Sequence, residues 1–268
     1  MPAMTTYYAC DKGLWTGRGV RFGSLPSTNT WALEHLSELQ DGTIIRADTQ
    51  TAGRGRFGRA WLVVSDKCLT FSFVLKDPAW TPLGPNLGQV AAWAVSLTLL
   101  EYGIKGQLKW PNDVMVHDRK ISGILVERGE RVDGFVVGIG LNVNGSADDF
   151  RLAGMDRPVT SLAEAAGRSF DREAVMEVLR QALTRCLEDV RERGLSSLWR
   201  DWSGQDWLKG QTIEIRGVEG EITSGECLGI SPDGALRLRT LEGYERMYWT
   251  GDVERIRLSN VPGFPVTG

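Results

Sequence analysis

The sequence predicts an α+β domain, a mixed or antiparallel central sheet flanked by helices, followed by a small all-β module. Three observations carry this. Runs of β-branched and aromatic residues at Thr43–Ala47, Leu69–Leu75 and Gly134–Val143 read as strands. Apolar residues recur at helical spacing across Leu87–Glu101 and Asp171–Arg193. From Gly210 the pattern changes to short strands parted by turn signals, spaced as in a small β-barrel. The boundary is placed near 208–210, dividing the 268 residues into 1–208 and 209–268.

Composition narrows the function. A hydrophobic content of 42% with 24% charged residues is that of an ordinary globular protein. A net charge of −3 argues against a general polyanion binder. The four cysteines, at 10, 68, 186 and 227, form no CxxC pair, and there are only two histidines, so zinc-ligand spacing is absent. The dispersed thiols read as reduced. No charged head precedes an apolar run at the N-terminus, and no apolar stretch is long enough to span a bilayer, so a cytoplasmic enzyme is expected.

Residues 1–21 show no clear period and read as an irregular lead-in, too short for a helix-turn-helix DNA-binding module. From Ser27, STNTWALEHLSEL reads as a helix with Ser27 or Thr28 as N-cap and Trp31, Leu36 and Leu39 on one face. STN also sets two hydroxyls and an amide where orphan backbone donors collect, although capping alone accounts for it. After the Thr43–Ala47 strand comes GRGRFGRAW, Gly53–Trp61. Glycine permits close backbone approach, and arginine supplies a planar charged fork, a combination suited to gripping a small polyanion. A basic surface hairpin is the alternative.

The strand Leu69–Leu75 is followed by a loop at Pro78–Pro85 and by the helix Leu87–Glu101, buried on one face and ended by Gly103. QLKWPNDVMVHDRKISGILVERG then reads strand, turn, strand, turn, strand, with turns at Pro111–Asp113 and His117–Arg119. Ile121–Glu127 and Gly134–Val143 read as paired strands. Gly138 and Gly140 inside the second mark either a bulge or the close approach of a ligand. Helices follow at Ser161–Ala166 and Asp171–Arg193, the latter with Val175, Val178, Leu179, Ala182, Cys186 and Val190 as its apolar stripe. Its Glu and Arg residues form a solvated face. The tryptophans of LWRDWSGQDWL read as filling a domain junction. The terminal module is expected to hold strands Thr212–Arg216, Glu226–Ile230, Ala235–Thr240, Arg246–Tyr248 and Val253–Arg257.

Taken in order, STN at 27–29, QxAGRGRFGRxW at 50–61, KWPND at 109–113, RKISGILVE at 119–127 and GIGLNVN at 138–144 resemble the biotin–protein ligases. CLGISPDGALRL and TGDVERIR resemble that family's SH3-like C-terminal domain. The resemblance runs from about Ser24 through the C-terminal module. It implies the class II aminoacyl-tRNA synthetase-like catalytic fold and an ATP-dependent carbon–nitrogen ligase using biotin, ATP and Mg²⁺. Biotin is first converted to biotinyl-5′-AMP and then passed to a lysine of a biotin carboxyl carrier domain of a biotin-dependent carboxylase.

The resemblance also implies roles. Arg54 and Arg56 would neutralise carboxylate and phosphate, and Lys120 would serve the α-phosphate; these three are the catalytic candidates. Biotin would be held by Ser27, Thr28, Asn29 and Gln50, with Gly53, Arg54, Arg56 and Lys120 nearby. Gly123, Gly138 and Gly140 would give a flat wall, and Trp110 would line the channel for the aliphatic tail. ATP would be held by Arg56, Arg59, Trp61, Lys120 and Asn142. Asn112 and Asp113 would lie near Mg²⁺. No side chain is needed as a covalent nucleophile. For Lys109, Arg59 and Arg119, solubility or salt bridging is an equal account.

Two departures stand out: Phe57 replaces a basic residue common in relatives, and Pro26 precedes STN where an acidic residue is common. With no room for an N-terminal DNA-binding domain, a monofunctional ligase that binds neither DNA nor membrane is expected. Exposed strand edges leave a homodimer open. The competing readings are a lipoate–protein ligase, a biotin-sensing regulator and a catalytically silent biotin binder. As a whole the arginine loop is expected to act as a lid over an acyl-adenylate.

Overall fold

The structure, a computed structural model, describes residues 4–9, 18–155, 157–202, 204–217 and 220–255. In chain order, β1 (Met4–Ala9), β2 (Arg18–Leu25), β3 (Ile44–Gln50), β4 (Cys68–Leu75), β5 (Gln107–Lys109), β6 (Asp113–Val116), β7 (Arg119–Arg128) and β8 (Phe135–Asn142) form one sheet. Across it they run β1-β2-β3-β4-β8-β7-β6-β5. Only the β2–β3 pair is parallel, so the sheet is mixed, as expected.

Both faces of the sheet centre are covered, which explains why β4 is a near-continuous apolar run, buried throughout. On one face Leu69, Phe71, Phe73 and Ile139 pack with α2 (Leu87–Glu101) and α5 (Arg172–Arg193). On the other, Val20, Phe22, Leu25 and Val74 pack with Ala32 of α1 (Thr28–Glu34) and with Leu36 beyond it. The second unit is a five-stranded antiparallel sheet of β9 (Thr212–Arg216), β10 (Ile222–Ile230), β11 (Leu236–Thr240), β12 (Glu245–Tyr248) and β13 (Asp252–Arg255), ordered β12-β11-β10-β9-β13. Its core of Ile213, Ile215, Cys227, Leu236, Leu238 and Val253 also receives Trp110.

Several expectations need correction. The lead-in contains two strands, β1 and β2, and the burial of Val20 and Phe22 shows the period-2 signal that runs past the supposed boundary. The first helix stops at Glu34, and Leu36 is buried from a turn. Pro78–Asn86 forms 3-10 turns rather than an open loop, capped by Asp77, whose carboxylate accepts from the Ala79 amide at 2.9 Å. Helix α2 is buried on nearly all sides, because α5 and the second module pack on the faces the sheet does not cover: Gln89 Nε2 donates to the Gly234 carbonyl at 2.8 Å. On α5, Leu183 and Leu187 join the buried stripe, whereas Val178 is only half-buried. Two short helices, α3 (Ala147–Leu152) and α6 (Ser196–Trp202), were not foreseen; α4 (Leu162–Ala166) was. Strand β10 starts earlier than expected.

Trp207 packs against the second module's core, as expected of a junction residue, whereas Trp202 is buried in the main core and the side chain of Trp199 lies outside the described residues. Cys68, Cys186 and Cys227 are free and buried, whereas Cys10 and the expected strand end at 256–257 lie outside the described residues. Among the described residues, no helix is long and apolar enough to cross a membrane.

Candidate active site

Regular pairing sets the floor of the site. Strands β4, β8 and β7 pair without a register shift through Gly138 and Gly140, which rules out a bulge there. The glycines exist because side chains lie on them. A Cβ at Gly140 would stand 2.2 Å from the Trp61 ring, one at Gly138 2.3 Å from Asn29 Oδ1, and one at Gly123 2.9 Å from Lys120 Nζ. Gly123 and Gly140 are cross-strand partners, so Trp61 rests across a two-glycine step.

Helix α1 supplies one end of the site. Ser27 is its N-cap in extended conformation despite the preceding proline, and its hydroxyl accepts from the Thr30 amide at 3.4 Å. Gln50 Oε1 accepts from the Thr28 amide at 2.7 Å. Asn29 Nδ2 donates to the Leu125 carbonyl and to Glu127, while the Ser72 hydroxyl lies 2.6 Å from Asn29 Oδ1 and 2.7 Å from Thr28 Oγ1. All three STN residues are buried, so the triplet is both a cap and part of the cavity wall.

The glycine–arginine segment forms a closed loop. The Trp61 amide donates to the Gly53 carbonyl, and the Gly55 amide to that of Arg59. Phe57, at φ 55°, is half-exposed, with its ring beneath the Arg56 guanidinium. The loop leans on the second module: Arg56 donates to the Gly251 carbonyl at 3.2 Å and to Thr250 Oγ1 at 3.0 Å, and Arg59 pairs with Asp252.

Beneath this loop lies a cavity of about 320 Å³. It gathers Ser27, Thr28, Asn29, Gln50, Arg54, Arg56, Arg59, Trp61, Trp110, Asn112, Asp113, Lys120, Gly123, Gly138, Gly140 and Asn142. Gly53 is not among the lining residues; it is buried, and a Cβ there would meet the Trp61 carbonyl at 2.4 Å, so its job is loop closure. Trp110 is less a channel residue than a junction residue, with its indole in the second core and its Nε1 donating to the Gly234 carbonyl at 3.0 Å. Arg119 lies outside the lining and pairs with Glu164.

The charges are unevenly matched. Arg54 is held by Glu127 at 2.6 Å, Lys120 by Asp113 at 2.7 Å, and Arg59 by Asp252. Among the described residues, Arg56 and Lys109 have no carboxylate within ion-pair distance. Burial pushes both pKa values down, most strongly opposed in each case by Asp113. Asn142 is buried, with Nδ2 donating to the Thr160 carbonyl, and Trp61 Nε1 is buried without a partner.

Asn112 and Asp113 line the cavity but do not by themselves make up a resident metal site. Asp113 is engaged by Lys120, Asn112 is bonded to the Ile124 carbonyl, and no group of three or more His, Cys, Asp or Glu side chains suited to a metal occurs among the described residues. Mg²⁺ needs an octahedral oxygen shell in which substrate phosphates serve.

Sequence reasoning missed Ser72, Glu127, Thr250 and Asp252. Ser72 had a weak signal, a lone hydroxyl among the apolar residues of β4. The others become visible only when distant segments meet.

The Biotin/lipoate A/B protein ligase family matches residues 21–144, and the Biotin protein ligase C terminal domain matches 209–255. A biotin–[acetyl-CoA-carboxylase] ligase from Paracoccus denitrificans is 32% identical over 219 residues, 80% of this chain and 90% of that protein. The bifunctional ligase/repressor BirA of Bacillus spizizenii is 33% identical over 80% of this chain, and the match spans 66% of that protein's length. The biotin protein ligase of Aquifex aeolicus, solved with biotin and ATP, superposes with a TM-score of 0.78 at 28% identity, covering 89% of this chain and 99% of that one.

Proposed function

Because the chain belongs to the biotin–protein ligase family, we propose that it activates biotin with ATP and transfers it to a lysine of a biotin carboxyl carrier domain. The carrying observation is that a single cavity joins a hydrogen-bonding end, a glycine floor and a cationic wall. In the first step a biotin carboxylate oxygen bonds to the α-phosphorus. The bond from that phosphorus to the β-phosphate oxygen breaks, and pyrophosphate leaves with the electron pair. Two anions must meet, so alignment and fixed positive charge do most of the work. In this reading Lys120 serves the α-phosphate, exchanging Asp113 for a phosphate oxygen; Arg56, bonded only to neutral oxygens, keeps its charge for the ligand.

At the other end, the Gln50 carbonyl is taken by Thr28, which leaves its amide nitrogen as the donor we assign to the ureido carbonyl. Asn142 and the unpartnered Trp61 indole serve the adenine end. Mg²⁺ enters with ATP, and no step is assigned to it. In the second step the acceptor amine attacks the biotinyl carbonyl, loses a proton, and AMP departs. The C-terminal family match and the Arg–Gly loop favour biotin over lipoate.

Incubation with biotin, ATP, Mg²⁺ and a carrier domain, followed by intact mass, tests this. One biotinyl group is expected on the acceptor lysine. Tight lipoate binding with no biotin binding would overturn the choice of substrate.

A further inference from the structure

Lys109 closes β5 and lines the cavity, yet among the described residues no carboxylate lies within ion-pair distance of it. Its visible contact is apolar, the ammonium sitting 5.6 Å from the centroid of the Trp207 ring. The carboxylates that act on it electrostatically are Asp113 and Asp252, each already engaged, the first by Lys120 and the second by Arg59. Lys120 and Arg157 are the cations that repel it. A cation partly withdrawn from water and without a counter-ion is better stabilised when an anion arrives.

Resting on the ligase reading, we propose that Lys109 binds the pyrophosphate portion of ATP and receives it as the leaving group, separately from Lys120 at the α-phosphate. As the bond from the α-phosphorus to the bridging oxygen breaks, its electron pair stays on pyrophosphate. The Lys109 ammonium compensates that charge without giving up a proton. Partial burial, which lowers the lysine's pKa, makes the compensation stronger, because part of the desolvation has already occurred on folding.

Two assays separate this from a role in supporting Trp207. Biotin-dependent ATP–pyrophosphate exchange reports the first half-reaction, and transfer from chemically prepared biotinyl-5′-AMP to a carrier domain reports the second. In Lys109→Met, the half-saturating pyrophosphate concentration should rise about 10- to 100-fold, while transfer from the preformed adenylate stays at the parent rate. Lys109→Arg, which keeps the charge, should recover most of the exchange. Equal loss in both half-reactions, or loss in Lys109→Arg as large as in Lys109→Met, would overturn the assignment in favour of a structural role. A parent enzyme that exchanges while Lys109→Met exchanges just as well overturns the assignment alone. A parent enzyme with no biotin-dependent exchange overturns the ligase reading and the assignment with it.

Discussion

At Gly140 the missing side chain matters more than most side chains present, since the Trp61 indole fills the space a Cβ would need. Gly140→Ala should drive Trp61 off the floor and raise the KM for ATP; an unaltered KM would count against the stacked position. Lys120→Ala and Arg56→Ala should fail differently. Lys120→Ala should slow adenylation by about 10²-fold or more, whereas Arg56→Ala should let biotinyl-5′-AMP escape, measured as free intermediate in solution. The thiols make a third case at this scale. Burial pushes Cys68 to about 11 and Cys186 and Cys227 to about 12, so all three stay protonated at pH 8. Peptide mapping should find them unlabelled by iodoacetamide in folded protein and labelled in denaturant. Much of the residue chemistry was legible because each motif carries its own groups within a few positions. Ser72 and Asp252 were not, because each is defined by a partner 43 and 193 residues away.

Among elements, α5 shows how a local signal survives folding. Asp171 caps it, accepting from the Glu173 amide at 2.9 Å, and Gly194 closes it. Asp171→Ala should cost about 1 kcal/mol and lower Tm by about 2–4 °C, with both half-reactions unmoved. Calorimetry beside the exchange assay checks both. Strong period and clear caps made this helix readable before its surroundings were known. Strand β2 was harder: only part of it alternates, and its partner β3 runs parallel to it, a pairing that no short-range pattern announces. Helix α2 was placed with its correct bounds but misjudged in exposure. Its polar Gln89, and Asn86 just before it, are buried because the turn at 231–234 bonds to them.

For the molecule as a whole, the second module helps build the site. Asp252 and Val253 line the cavity, and Thr250 and Gly251 hold Arg56. The Arg59–Asp252 pair is partly exposed and should contribute only about 0–1 kcal/mol to stability. Asp252→Asn should therefore leave Tm nearly unchanged while increasing release of biotinyl-5′-AMP. That release in the parent protein should itself rise with ionic strength, followed by stopped reaction and chromatography. A Tm drop of the size seen for a core substitution would mean the pair is structural instead.

The grip of residues 250–252 on a loop nearly two hundred positions earlier also orders events in time. During synthesis the floor, the α1 cap and both lysines emerge first, and the groups that fasten the arginine loop emerge near the end of the described chain. Under the proposed function, the groups that would help the arginine loop retain an anhydride are thus the last parts of the site to be synthesised.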